Sequence, residues 1–145
     1  IDVHTHCEGD FDEQPEAENF VRMGVTTIVT GNCGGSYVDL DQALTTLTET
    51  ALGPNVATLI GHNSVRRRVM ENTNRDPSTT ELLEMRRIVS KAMDDGAIGL
   101  STGLIYTPGT YSKTEEIIAL AEEVAKAAVF LASDLYQRWS PPHDR

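Results

Sequence analysis

An α/β fold built on a parallel sheet is what this 145-residue sequence predicts, on three observations. Short β-branched apolar runs alternate with longer stretches of helical spacing, Gly, Pro and Asn bound the runs, and helix start and stop signals fall between them. The expected order is β-α-β-α-β-α-β-α-β, with strands at 1–7, 25–31, 55–62, 97–102 and 129–133. These runs are rich in Val, Ile and Thr, as strands buried on both faces tend to be. Right-handed crossovers leave two main solutions, an open doubly wound sheet or a portion of a (β/α)8 barrel. No glycine-rich phosphate loop follows the first run, which weakens the dinucleotide-binding option.

The helices between the runs have readable ends. Ser78 with Glu81 forms a capping-box pattern, in which the hydroxyl satisfies an orphan N–H and the carboxylate reaches back. Leu82, Met85, Val89, Ala92 and Met93 then recur at helical spacing, and Gly96 supplies the stop. The same start signal recurs at Ser112 and Glu115, ahead of Ile117, Ile118, Leu120, Ala121 and Val124. Shorter helices are expected at 16–23 and 40–51.

Composition narrows the function. The chain is 39% hydrophobic and 23% charged, with a formal net charge of −10 from 22 acidic and 12 basic residues. An acidic surface of this kind argues against a nucleic-acid partner, which needs a basic patch; Arg66-Arg67-Arg68 is too short a run to supply one. No apolar stretch approaches the ~20 residues of a membrane helix. The two cysteines, Cys7 and Cys33, fit a reduced or ligating role better than a disulfide, so a cytoplasmic location is expected.

His4-Thr5-His6 closes the first run, and strand alternation sends His4 and His6 to one side. Two imidazoles on one face at a strand's C-terminal end suit a divalent metal, and parallel α/β sites lie at that end. Cys33, in Gly31-Asn32-Cys33-Gly34-Gly35 after the second run, is a candidate third ligand, since thiolate binds zinc well. The other reading of Cys33 is a small buried filler in a tight turn. His62, Ser101, Thr102 and Tyr106 end or follow the third and fourth runs and are candidate substrate-binding residues at the same rim, with a hydrogen-bonded loop histidine as the equal alternative for His62. No histidine base adjoins Ser101, so it is not read as a nucleophile. Cys7 points away from the histidines and is expected to be a packed thiol, and His143 in the Pro-rich tail is not expected to be a ligand.

Together, Ile1-Asp2-Val3-His4-Thr5-His6, Gly24-Val25-Thr26-Thr27-Ile28-Val29, Gly31-Asn32-Cys33-Gly34, Gly61-His62-Asn63-Ser64-Val65-Arg66 and the stretch from Gly96 to Tyr111 resemble the N-acyl-D-amino-acid deacylases (D-aminoacylases) of the amidohydrolase superfamily. His-x-His alone is shared by many amidohydrolases; Gly-Asn-Cys-Gly with Gly-Leu-Ser-Thr-Gly-Leu is far narrower. The resemblance implies a partial (β/α)8 TIM-type barrel, with residues 1–128 as its N-terminal part and 129–145 as a divergent fifth-strand region and irregular tail. A full barrel takes about 250 residues, so about four to five βα units are expected here. It implies His4, His6 and Cys33 as zinc ligands and hydrolysis of the amide bond of small-molecule N-acyl-D-amino acids.

The resemblance also implies a histidine ligand and an arginine in the fifth strand, where this chain carries Asp134 and Tyr136, and an aspartate acid/base on a last strand beyond Arg145. The segment is therefore expected to be inactive alone and able to self-associate through an exposed barrel edge. Two alternatives stand beside this reading. One is another amidohydrolase, such as a dihydropyrimidinase-type cyclic-amide hydrolase, although no lysine lies near an expected strand end. The other is a non-catalytic fragment or pseudoenzyme.

Overall fold

Parallel ladders follow chain order in the computed structural model, which describes residues 1–127 and the backbone of 130–133. The elements are α1 (Glu18–Val21), β1 (Thr27–Thr30), α2 (Leu40–Glu49), β2 (Asn55–Thr58), β3 (Ile60–Gly61), α3 (His62–Met70), α4 (Thr79–Asp94), β4 (Gly99–Thr102), α5 (Thr114–Lys126) and β5 (Phe130–Ser133), with a short 3₁₀ turn at Gly109–Tyr111. β1 pairs with β2, and β3–β4–β5 form a second ladder, every pairing parallel. Leu59 N–H donates to Thr30 O (3.0 Å) and Ile98 N–H to Thr58 O (2.9 Å), which carries backbone pairing across the break between β2 and β3. Neighbours in space are thus neighbours in sequence, without the reversal of strand order that marks a doubly wound sheet.

Two expectations about strands need correction. Residues 1–7 form only a single parallel bridge, Asp2 to Ile28. They still run along β1: Val29 N–H donates to Asp2 O (2.8 Å) and Thr5 N–H to Val29 O (3.1 Å). The expected strand 55–62 is instead two short strands, and His62 already opens helix α3.

Helix α4 begins and ends as the sequence indicates. Ser78 Oγ accepts from Glu81 N–H (3.3 Å), and Ser78 N–H donates back to Glu81 Oε2 (2.8 Å). Gly96, at φ 111°, takes the left-handed conformation that ends the helix at low cost. Met85, Val89 and Ala92 are buried and join Ile60, Leu100 and Leu120 in the main core. Ser78→Ala is expected to cost about 1 kcal/mol; a urea-denaturation midpoint unchanged from wild type would contradict it.

The second capping box does not form. Lys113 takes the N-cap position of α5 without a side-chain cap, because Ser112 Oγ donates to Gly109 O (2.6 Å) and closes the preceding 3₁₀ turn. Ile118, expected on the inner face, is exposed, whereas Glu116, Leu120 and Val124 are buried at four-residue spacing. No helix among the described residues is long and apolar enough to cross a membrane. Residues 134–145, including Asp134, Tyr136 and His143, lie outside the described residues.

Candidate metal centre

Alternation along the first segment governs the site. Thr5 and Cys7 are buried against β1, while His4 and His6 are exposed on the opposite side. Thr5 Oγ1 donates to Val29 O (2.8 Å), which fixes the register and so fixes the side to which the histidines project. The two imidazoles stand edge to face, with ring centroids 5.1 Å apart. Cys7 packs with Phe11 and Ile28, as expected of a core thiol, and burial pushes its pKa up. A thiol held protonated in this way is poorly suited to ligation.

Cys33 reaches the histidines because the loop after β1 turns back sharply. Gly31 and Gly34 flank it at φ 77° and 80°, and Cys33 itself sits at φ 52°, an uncommon conformation for a residue with a side chain. A Cβ at Gly31 would run into the Leu59 carbonyl, and one at Gly34 into the Asn63 side chain. Asn32, buried, donates from Nδ2 to Val29 O (3.0 Å) and Thr5 O (3.5 Å), tying the loop to the histidine segment. The Glu8 carboxylate accepts from Gly31 N–H and adds a second tie.

The result is a cluster in which one donor atom each from His4, His6 and Cys33 lies within 4.8 Å of the others, with Cys33 Sγ 3.4 Å from His4 Nε2. Two imidazoles and a thiol at that spacing are a nitrogen–sulfur set suited to Zn²⁺. The donor set therefore fits a zinc ion, and the filler reading of Cys33 does not match a half-buried thiol facing two exposed imidazoles.

A cleft of about 330 Å³ opens beside this cluster, lined by His6, Asn32, Cys33, Gly35, Asn63, Arg67, Tyr106 and Thr107. Of the four candidate substrate residues, the structure brings only Tyr106 to it. Ser101 is buried, donating to Gly31 O and accepting from Gly34 N–H (3.0 Å), so it braces the Cys33 loop. Thr102 is buried as well and does not line the cleft.

His62 is turned inward by the first turn of α3. Its Nε2 hydrogen-bonds Glu116 Oε1 (2.7 Å), and Arg66, one turn later on the same face, pairs with the other carboxylate oxygen. All three side chains are buried. Burial pushes the Glu116 carboxyl up, but hydrogen bonds from His62 and Arg66 outweigh it and leave the group below the ordinary carboxylate range.

Asn63, Arg67 and Asn32 escape a reading from sequence, although each lies within or beside a quoted motif. Asn63 Nδ2 donates to Gly103 O (3.0 Å) and Tyr106 O (3.3 Å), and so holds the loop after β4 over the cleft. The available signal was helical spacing: residues 62 and 66 share one face of α3, and residues 63 and 67 share the next.

No protein-family model matches the chain. It is 33% identical over 159 aligned residues to the N-acyl-D-aspartate deacylase of Alcaligenes xylosoxydans xylosoxydans, an alignment covering 93% of this chain and 32% of that protein. The D-aminoacylase of the same organism is 32% identical over 148 residues, covering 86% and 31%. Among solved structures, the N-acyl-D-glutamate deacylase of Bordetella bronchiseptica, complexed with zinc and a phosphonate inhibitor, superposes with a TM-score of 0.88 at 30% identity, over 92% of this chain and 33% of that one. A D-aminoacylase described as defining a novel subset of amidohydrolases gives 0.86 at 28%, with the same coverage. The chain, spanning about a third of the length of these relatives, is thus similar over most of its own length to the D-aminoacylases, which are amidohydrolases.

Proposed function

We propose that this chain supplies the zinc-binding first part of an N-acyl-D-amino-acid deacylase, an arc of a (β/α)8 barrel whose strand ends carry His4, His6 and Cys33. The carrying observation is the convergence of those three donors within 4.8 Å, from two segments that alternation and a glycine turn bring together. Parallel strands in chain order support the barrel arc. His4 and His6 would bind as neutral imidazoles and Cys33 as a thiolate. Bound there, zinc supplies a water acidified toward a pKa of about 7 and a Lewis acid for the amide carbonyl.

The chain's own residues shape the rest of the cleft. Asn32 and Ser101 hold the Cys33 loop, Asn63 holds the opposite wall, and Tyr106, half exposed at that wall, would contact a bound acyl amino acid. No described residue is assigned the proton transfer to the leaving amine.

The test is hydrolysis by a zinc-loaded protein that carries this chain, with N-acetyl-D-methionine, its L-enantiomer and dihydrouracil as substrates. Release of D-methionine, lost on chelation and restored by zinc, is expected, with the 145-residue chain alone binding metal but not turning over. Turnover of dihydrouracil only would sink the deacylase reading.

A further inference from the structure

Arg67 stands apart from the other cations of this acidic chain. Every other Lys and Arg among the described residues has a carboxylate partner. Its neighbours in the Arg66-Arg67-Arg68 run show the contrast: Arg66 is buried against Glu116, and Arg68 meets Asp39 at 3.4 Å. Arg67 is exposed, lines the cleft beside His6 and Cys33, and has no carboxylate partner among the described residues.

Helical geometry sets this position. Arg67 follows Asn63 by four residues on the same face of α3, and both side chains hold the loop after β4, Asn63 through Gly103 O and Tyr106 O and Arg67 through Thr107 O (Nη2, 3.0 Å). That hydrogen bond uses one N–H of the guanidinium and orients the plane, leaving further donors of the fork for an anion.

An acidic protein gains by placing a cation where an anionic substrate must enter, because the net charge of −10 otherwise repels it. Asp and Glu are absent from the lining of this cleft, so no carboxylate there competes with an anionic ligand for the guanidinium.

We infer that Arg67 is a substrate-recognition residue that binds a carboxylate of the acyl amino acid while its amide bond lies at the metal cluster. The inference rests on the proposed deacylase reading and adds an anchoring group to it. The chemistry is that of a carboxylate on a guanidinium fork. It could be the α-carboxylate common to all such substrates or a side-chain carboxylate that only some carry.

The experiment is calorimetric titration of the zinc-loaded 145-residue chain and its R67A and R67K variants with N-acetyl-D-methionine, N-acetyl-D-glutamate and N-acetyl-D-methioninamide. R67A is expected to weaken binding of the acids by about ten-fold, the size of one charge-assisted hydrogen bond, and to leave the amide unchanged. R67K should recover part of the loss. Equal weakening toward both acids assigns the α-carboxylate, and weakening confined to the glutamate derivative assigns the side-chain carboxylate; either supports Arg67.

An R67A variant that binds all three compounds as wild type does would overturn the inference. So would equal loss toward the amide, which would mean that Arg67 only braces Thr107. A zinc-loaded chain that binds neither acid overturns it as well. Metal analysis of the same samples separates this failure from that of the metal reading. If the chain takes up no zinc, the comparison of acids with amide on the metal-free chain decides Arg67.

Discussion

Replacing Cys33 by alanine is expected to lower the zinc affinity of the chain by at least about 100-fold, if it is the third ligand we propose. Disturbing a group that merely orients a ligand costs about 10–100-fold, and removing one of the three proposed donors should exceed that. The variant isolates ligation from folding, because alanine carries the same Cβ into the same left-handed conformation that Cys33 holds at φ 52°. His4→Ala and His6→Ala remove exposed rings and are expected to leave stability within about 0.5 kcal/mol while lowering zinc affinity comparably. Competition against a chromophoric chelator measures all three; affinity unchanged in C33A would place the thiol outside the site.

Glu116→Ala is expected to destabilise the fold by about 3–5 kcal/mol, the cost of breaking a buried ion pair by removing one partner. Arg66 would be left buried with only backbone carbonyl acceptors, Thr73 O (3.5 Å) and Arg75 O (2.6 Å). His62 would lose its only hydrogen bond among the described residues. The network also predicts a pH dependence. A carboxyl held below its ordinary range stabilises the fold at pH above its unfolded value of about 4.3, and that stability is lost as pH falls through the depressed folded value. The stability gap between wild type and E116A, followed by urea denaturation, should therefore narrow as the pH is lowered from 7 through the carboxylate range. Parallel curves with no loss in E116A would show that the pair adds nothing.

The convergence of His4, His6 and Cys33 was legible in sequence because their placement depends on short-range rules. Alternation along residues 4–6 and the glycines around Cys33 act within a few residues, so they can be read without knowing what packs where. The ends of α4 were legible for the same reason, since a capping box and a terminal glycine are local devices. His62 was not. The third run reads as one strand to its last residue, yet helix α3 starts at His62 and its rotation aims the ring at α5 rather than at the cleft.

Ser101 and Thr102 follow the same pattern: all four residues of β4 are buried, and the Ser101 hydroxyl serves the neighbouring loop rather than solvent. Glu116 drew no reading from sequence, although it lies in line with Leu120 and Val124 on the buried face of α5. A charge on an apolar stripe becomes intelligible only when its partners, on a helix some fifty residues earlier in the chain, are in view.

Substitution of cobalt for zinc addresses the three-donor site most directly. Cobalt(II) bound by His4, His6 and Cys33 is expected to show a thiolate-to-metal charge-transfer band in the near ultraviolet, at one equivalent per chain, and to lose that band in C33A but not in Cys7→Ala. Cobalt binding without the band, or a band that survives loss of Cys33, would contradict the assignment.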